Sequence, residues 1–457
     1  MRRTKIVATI GPATESLSSL RKLVESGLNI LRLNCSHGDK GQFKKIVHNI
    51  HQIESETGKI ISILADLQGP KIRLGIIPDD KQLVSTGEQI ILSTKAGEKN
   101  TVHIPYPDLH KIVKTGERIL IEDGLIRTKI VSISGHHIKV KITAGGYLKS
   151  KKGVNLPDSK LPRSETLTKK DLEDLKMVLK LGVDAIALSF VENAEDVLRL
   201  RKEIEKSGSK MPMIISKIER KDALKNLKKI IDVSDGIMVA RGDLGIETEA
   251  ERVPVEQKRM IAMARKSAKP VIVATQILQS MVTNPIATRA EISDAANAIF
   301  DHADAFMLSN ETAVGAYPFK AVATLARVAR RTEEAIFKDN ELSPIPTDPK
   351  NLKEDETMAL NACLIAENIN ARAIVVITKE GFTARTVLKH RPKVPVIVIT
   401  NSNKTARQLN FFWGIEKIVV TKEVMRSEDA KKFFEKGEEI VVIKLSNEKR
   451  SLVQLKA

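Results

Sequence analysis

The sequence predicts an α/β protein: a (β/α)8 TIM barrel with an inserted small all-β domain and a C-terminal α/β domain. Three observations carry that reading. Runs rich in Val and Ile alternate with amphipathic stretches in about eight units, spaced roughly 25–35 residues apart. The runs are apolar on both faces, as strands must be when helices cover one side and a filled interior the other. The rhythm breaks twice, once for short alternating strands and once for a Pro-rich, acidic link. The expected boundaries are 1–68 and 157–342 for the barrel, 69–156 for an inserted β lid, and 343–457 for the C-terminal domain. An open doubly wound sheet is the alternative, but no Gly-x-Gly-x-x-Gly turn follows the first strand.

The elements follow in order. The first run, Lys5 to Ile10, is ended by Gly11 and Pro12. Ser16 then caps a helix with Leu17, Leu20, Leu23 and Val24 on one face, closed by Gly27. A second run from Ile30 to Asn34 precedes a long helix that ends near Gly58, and a third run ends at Asp66. From Gly69 to about Pro157, turn residues and strict alternation take over, as in Ile138 to Ile142, which suits a half-buried sheet. The βα rhythm resumes at Thr168, with runs ending at Phe190, Glu219, Ala240, Thr275 and Ser309 and a last helix from Pro318. Beyond the link from Ser343 to Glu356 come a helix and five further strands with helices between the first of them.

Composition narrows the function classes. Of 457 residues, 42% are hydrophobic and 29% charged, which excludes a disordered chain. No stretch is apolar enough for a transmembrane helix, so no membrane association is expected. Cys35 and Cys363 form neither a disulfide framework nor a paired-cysteine metal knuckle. With no apolar signal segment behind the basic N-terminus, a reducing, cytoplasmic setting is expected. The net charge is +18, from 75 Lys+Arg against 57 Asp+Glu. It suits small anionic substrates or simply a Lys/Glu-rich solvated surface. Nucleic acid is not an expected partner, because aromatics are only 3% and the basic residues are dispersed.

In such a barrel, chemistry collects at the C-terminal strand ends. Those ends carry Arg32, Asn34 and then Ser36; Asp66, followed by Lys71 and Arg73; Ser189; Lys217 and Glu219; Arg241 and Asp243; Thr275; and Ser309 with Glu311. Arg32/Asn34 and Lys217/Glu219 are spaced i, i+2, so each pair faces one side of its strand. Glu219 and Asp243 come from adjacent strands and can meet as a two-carboxylate site for Mg²⁺ or Mn²⁺. Arg32, Arg73, Lys217 and Arg241 around that ion describe a clamp for a phosphate-bearing substrate. Gly242 lets backbone amides approach a carboxylate, and the Thr275 and Ser309 hydroxyls can relay protons.

These residues lie in stretches that resemble the pyruvate kinase family from end to end: "KIVATIGPA", "LRLNCSHG", "ADLQGPKIRLG", "KKGVNLP", "IISKIER", "DGIMVARGDLGIE", "VIVATQIL" and "AEISDAANAIFDHADAFMLSNETAVGAYP". The resemblance implies transfer of the phosphoryl group of phosphoenolpyruvate to ADP, with Mg²⁺ or Mn²⁺ on Glu219 and Asp243. It implies that Arg32 and Lys217 hold the moving phosphoryl group and that Arg73 contacts phosphates. Amides of Ala240, Arg241 and Gly242, with Thr275, would bind the substrate carboxylate. Thr275 and Ser309 would belong to the proton relay. Lys152 on the lid would reach the nucleotide together with Asn34 and Arg73. Asn34, Ser36 and Asp66 match the family's monovalent-cation site, and a homotetramer is the family default.

The departures are informative. Potassium-dependent members carry an acid where this chain has Lys71, so a tethered ammonium is expected to replace K⁺. One unit charge at about 4 Å is worth about 4 kcal/mol at an effective dielectric of 20, enough to stand in for an ion. Cys35 takes the place of a common Phe and is expected to pack rather than react. Ala287 and Asn310 replace a common Pro and Gly and remove no reactive group. Thr378, Lys379, Thr383 and Arg385, at a strand-to-helix turn, match the loop that binds phosphorylated effectors in the family. The short tail after Trp413 speaks against a bisphosphate there. A catalytically silent barrel with a regulatory or nucleic-acid role, and a metal-dependent pyruvate aldolase, are the competing readings. The first would require loss of Arg32, Lys217, Glu219 or Asp243, and the second does not explain the lid or Lys152.

Overall fold

The computed structural model describes residues 2–122, 124–159, 166–339, 352–423, 425–445 and 450–457. Eight parallel strands close a barrel: β1 (Lys5–Thr9), β2 (Ile30–Asn34), β3 (Ser62–Asp66), β4 (Ala185–Leu188), β5 (Met213–Ile218), β6 (Gly236–Ala240), β7 (Val271–Ala274) and β8 (Ala305–Leu308). They run in sequence order around the ring, and β8 closes onto β1 with Ala305 opposite Lys5. The period of two sorts their side chains. Val7, Ile30, Leu64, Ala187, Ile215, Met238, Ile272 and Met307 fill the interior. Their alternates, such as Ile6, Leu31, Ile63, Ile214, Val239 and Phe306, pack outward against the helices. Burying a Leu or Ile on either face stabilises by about 1.5–3 kcal/mol, so a one-residue register slip in any strand is strongly disfavoured.

Local signals start the helices where the chain must turn back. Ser16 caps Leu17–Ser26 by accepting from the Ser19 amide, and Gly27 ends that helix at φ 119°, a conformation open to glycine. Reciprocal capping boxes, Thr168 with Asp171, Asn193 with Asp196 and Thr288 with Glu291, begin Lys169–Lys180, Ala194–Lys206 and Arg289–Phe300.

The insertion after β3 is a six-stranded sheet plus a two-stranded ribbon pairing Gly146–Lys149 with Lys81–Val84. It is not wholly β. One helical turn, Leu109–Ile112, interrupts it, because that turn aims Leu109 and Val113 together into the lid core. The C-terminal domain is a five-stranded sheet in the order Ile415–Val420, Val396–Thr400, Ala373–Ile377, Glu439–Lys444, Ser451–Lys456, with only the last strand antiparallel. Most of the Pro-rich link, and the expected 342/343 boundary within it, lie outside the described residues.

The C-terminal domain seats on the barrel floor, opposite the polar strand ends. Phe411, Phe412 and Ile415 join the interior cluster of the barrel. Polar contacts fix the seat: the Arg391 guanidinium donates to Asp304 at 2.8 and 3.0 Å, and Arg407 pairs with Glu54 and, at 3.4 Å, with Asp184. The Lys5 ammonium, buried on the floor, donates to the Ile415 carbonyl at 2.9 Å. Burial lowers its pKa to about 7, with Arg2 adding to the fall and Glu333 and Asp304 opposing it.

Candidate active site

The inward register that fills the barrel also builds its rim. Continuing each inward row by one step gives Thr9 after Val7, Arg32 after Ile30, Asp66 after Leu64, Ser189 after Ala187, Lys217 after Ile215 and Ser309 after Met307. These side chains meet. The Lys217 ammonium donates to Ser189 Oγ at 2.7 Å and pairs with Glu219 at 3.0 Å and Asp66 at 3.3 Å. Arg32 pairs with Asp66 at 2.7 Å and donates to Thr9 Oγ1 at 2.9 Å. Burial works against the Lys217 charge, but Asp66 and Glu219 outweigh it and hold the ammonium protonated far above the ordinary lysine range. Burial would likewise raise the Asp66 carboxyl, yet Lys217 and Arg32 keep it below the usual range. The result is a positive face, Arg32 and Lys217, braced by the Asp66 carboxylate they share and, at Lys217, by Glu219 as well.

Glu219 is buried, and its carboxylate accepts from the Phe190 amide at 2.6 Å. Burial pushes its pKa up, Lys217 pulls it down, and Asp243 adds to the rise. Glu219 and Asp243 therefore sit close enough to oppose each other's charge. Asp243 already holds a cation, the Lys71 ammonium at 3.0 Å, with the lid residue Asn155 at 3.5 Å. A carboxylate pair that draws in an ammonium fits a divalent ion, which needs two such oxygens and completes its shell with substrate and water. Lys71 therefore stands beside Asp243, one of the two candidate divalent-ion carboxylates. Asn34 instead accepts from the Ser36 amide at 3.2 Å, and Asp66 is taken by Arg32 and Lys217.

The β6 and β7 ends interlock. The Gly242 amide donates to Thr275 Oγ1 at 2.9 Å, and that hydroxyl donates to the Ala274 carbonyl at 2.6 Å. Thr275 and Gln276 both have positive φ, 68° and 52°, an unusual strain for a β-branched residue and one that marks functional turns. The Arg241 side chain corrects the expected clamp. It turns away from the rim onto the Thr275 carbonyl at 2.8 Å and Asp294 at 2.7 Å, bracing that strained turn. At the β8 end, buried Glu311 accepts from the Ser309 amide at 2.8 Å and the Leu278 amide at 3.1 Å. Thr9, Ser189 and Glu311 therefore join the site without a role read from the sequence, although Thr9 lies opposite Arg32 in register and Ser189 one inward step beyond Ala187.

Arg73 and Lys152 lie near where the chain enters and leaves the insertion. Arg73 bridges to Gly153 and donates to the Lys151 carbonyl at 3.1 Å, while Lys152 pairs with Glu122 at 2.8 Å within the lid. In the C-terminal loop, Thr378 Oγ1 accepts from the Gly381 amide at 3.0 Å, and buried Thr383 exchanges bonds with the Leu445 backbone. Lys379 and Arg385 line an adjacent cavity. Cys35 and Cys363 are free and buried, and burial raises both thiols. Both behave as packing residues.

A closed (β/α)8 barrel whose rim gathers an ion-paired ammonium, a guanidinium and two opposed carboxylates defines a phosphotransferase. Residues 1–322 match the pyruvate kinase barrel domain, and residues 356–451 the pyruvate kinase alpha/beta domain. The chain is 42% identical to pyruvate kinase 2 of a Synechocystis species, over 92% of this chain and 71% of that protein. It is 42% identical to the pyruvate kinase of Staphylococcus saprophyticus, over 94% of this chain and 73% of that protein. A crystal structure of a pyruvate kinase from Cryptosporidium parvum superimposes with a TM-score of 0.88 at 33% identity, covering 100% of this chain and 96% of that one. The chain belongs to the pyruvate kinase family, the phosphotransferases that move the phosphoryl group of phosphoenolpyruvate to ADP in glycolysis.

Proposed function

We propose that the rim carries out this transfer with Mg²⁺ or Mn²⁺ held by Glu219 and Asp243, where the ion would supply charge neutralisation for phosphate and enolate oxygens. The observation that carries the reading is the Lys217 ammonium at the strand end, ion-paired with both Asp66 and Glu219 and kept charged by them. Lys217 and Arg32 stabilise the phosphoryl group in flight, and Arg73 contacts phosphates at the lid hinge. Amides of Ala240, Arg241 and Gly242 with the Thr275 hydroxyl hold the substrate carboxylate. Thr275 and Ser309 pass the proton to the enolate carbon, with Glu311 fixing the Ser309 backbone. Asn34 and Lys152 serve the nucleotide, Lys152 by leaving Glu122 as the lid closes. Closure excludes water and suppresses hydrolysis.

Lys71 supplies the monovalent charge, so K⁺ is not required. In the free enzyme it neutralises Asp243, and it yields that carboxylate when a divalent ion binds, keeping its ammonium beside the phosphate oxygens. The 69–156 lid, a cytoplasmic setting, a homotetramer and a phosphorylated effector near Lys379 and Arg385 belong to the same reading. The test is pyruvate formation from phosphoenolpyruvate and ADP with Mg²⁺, in potassium-free buffer and with added K⁺. Equal activity supports the role of Lys71. Activity only with K⁺ removes that role and keeps the kinase, and no activity in either buffer removes the kinase.

A further inference from the structure

The neck that joins the lid to the barrel carries a polar residue whose bonding is incomplete. The two segments of the neck pair antiparallel. The Val154 amide donates to the Ile72 carbonyl at 2.9 Å, the Leu74 amide donates to the Lys152 carbonyl at 2.8 Å, and Arg73 bridges to Gly153. One further pair along that register sets Asn155 across from Lys71, and cross-strand neighbours share a face. Lys71 runs past Gly153, where a Cβ would stand 2.7 Å from Lys71 Cε. Both side chains reach one atom: Asp243 Oδ1 lies 3.0 Å from the Lys71 ammonium and 3.5 Å from Asn155 Nδ2.

Asn155 is only half spent there. Asp243 is an acceptor, so the amide nitrogen faces it and the amide oxygen turns elsewhere. That oxygen, Oδ1, is buried without a hydrogen-bond partner among the described residues, and the residue as a whole is 6% exposed. A buried acceptor left unpaired is costly, and an apolar side chain of similar shape would avoid the cost. The surroundings point to a partner that arrives with the divalent ion. Asn155 and Lys71 line a crevice of about 20 Å³, room for one water, together with Phe190, Arg220 and Glu247. Its other walls are tied to the two candidate metal carboxylates. The Phe190 amide donates to Glu219, Arg220 follows Glu219 in the chain, and Glu247 ends the helix Arg241–Glu247 that carries Asp243. A hard cation held by two carboxylates keeps several waters, and such waters donate hydrogen bonds to nearby oxygens. We propose that Asn155 is a positioning residue for the divalent ion: its Nδ2 steadies Asp243, and its Oδ1 accepts a hydrogen bond from a water in the ion's shell. This role rests on the reading that Glu219 and Asp243 hold the ion.

The test titrates Mn²⁺ alone into the full chain, without substrate. Electron paramagnetic resonance reads free Mn²⁺, and water-proton relaxation reads the waters on bound Mn²⁺. Asn155→Leu keeps roughly the same shape and removes both polar atoms of the amide. Mn²⁺ affinity should fall at least fivefold, and the waters on bound Mn²⁺ should exchange faster. The unfolding midpoint should hold or rise, because the unpaired acceptor is gone. The two side chains on Asp243 Oδ1 then act with opposite sign, since Lys71→Met removes a competing charge and should tighten Mn²⁺. Asn155→Ala carries the same expectation for affinity and serves if the Leu variant does not fold. A smaller fall, or a tightening, in a folded Asn155 variant overturns the proposal, because Asn155 would then be neutral or a second competitor for Asp243. A fall in affinity with unchanged water relaxation overturns it too, by assigning the loss to Asp243 alone. An unaltered chain that binds no Mn²⁺ at millimolar concentration removes the two-carboxylate reading along with it. Both readouts work even if the protein makes no pyruvate, so the two failures are distinguishable.

Discussion

Replacing Lys71 with Met separates its two roles. The side chain keeps much of its length and loses its charge. At 3.0 Å from Asp243 and an effective dielectric of about 20, the lost Coulomb attraction is about 5.5 kcal/mol. Both side chains retain solvent contact, 21% for Lys71 and 17% for Asp243, and desolvation offsets much of the gain. The net worth of such a pair is about 1–2 kcal/mol. Two effects of opposite sign follow. Freed of its ammonium, Asp243 binds a divalent ion more tightly, by about tenfold for each 1.4 kcal/mol. Turnover in potassium-free buffer falls, because the charge beside the phosphate is gone, and added K⁺ restores part of it. The assay is pyruvate release titrated with Mg²⁺ at zero and saturating K⁺, with Mn²⁺ affinity measured separately by electron paramagnetic resonance. Unchanged Mn²⁺ affinity and unchanged potassium-free turnover in Lys71→Met would exclude both roles.

Other predictions concern residues that position or support the site. Glu311→Gln keeps the side chain's size but turns one acceptor oxygen into a donor facing the Ser309 or Leu278 amide. It should lower kcat about tenfold to a hundredfold while leaving KM for ADP within about twofold, which steady-state kinetics would check. Lys5 sets a pH dependence of stability. Its folded pKa of about 7 lies below the ordinary 10.5, so the unfolded chain binds the extra proton and stability rises as pH climbs through that window. The upper limit of that rise is about 5 kcal/mol, at 1.36 kcal/mol per unit. Denaturant unfolding of Lys5→Met across the window should show the rise removed, and an unchanged slope would exclude Lys5 as its source.

The rim was legible because its residues obey the strand period. Arg32 with Asn34, and Lys217 with Glu219, extend inward rows whose apolar members already fix the register. Features that depend on side-chain direction across the fold were not legible. Nothing near Arg241 in the chain announces that its guanidinium reaches Asp294, 53 residues on, instead of the substrate. Lys71 meets Asp243 across 172 residues, so its motif suggested a tethered charge but not the carboxylate that holds it. Glu311 stood among the strand-end residues, yet only the fold shows that it bonds the Leu278 amide as well as its own neighbour Ser309.

On the proposed mechanism, Lys217, held charged by Asp66 and Glu219, carries phosphoryl transfer at this rim. The most direct measurement compares pyruvate formation from phosphoenolpyruvate and ADP by the unaltered enzyme and by Lys217→Met, with Mg²⁺ saturating and phosphoenolpyruvate binding followed calorimetrically. Loss of one preorganised electrostatic group typically costs about a hundredfold to a thousandfold in kcat. A loss at least that large is expected, with substrate binding retained. A Lys217→Met enzyme that still binds phosphoenolpyruvate and turns it over within about tenfold of the unaltered rate would contradict it.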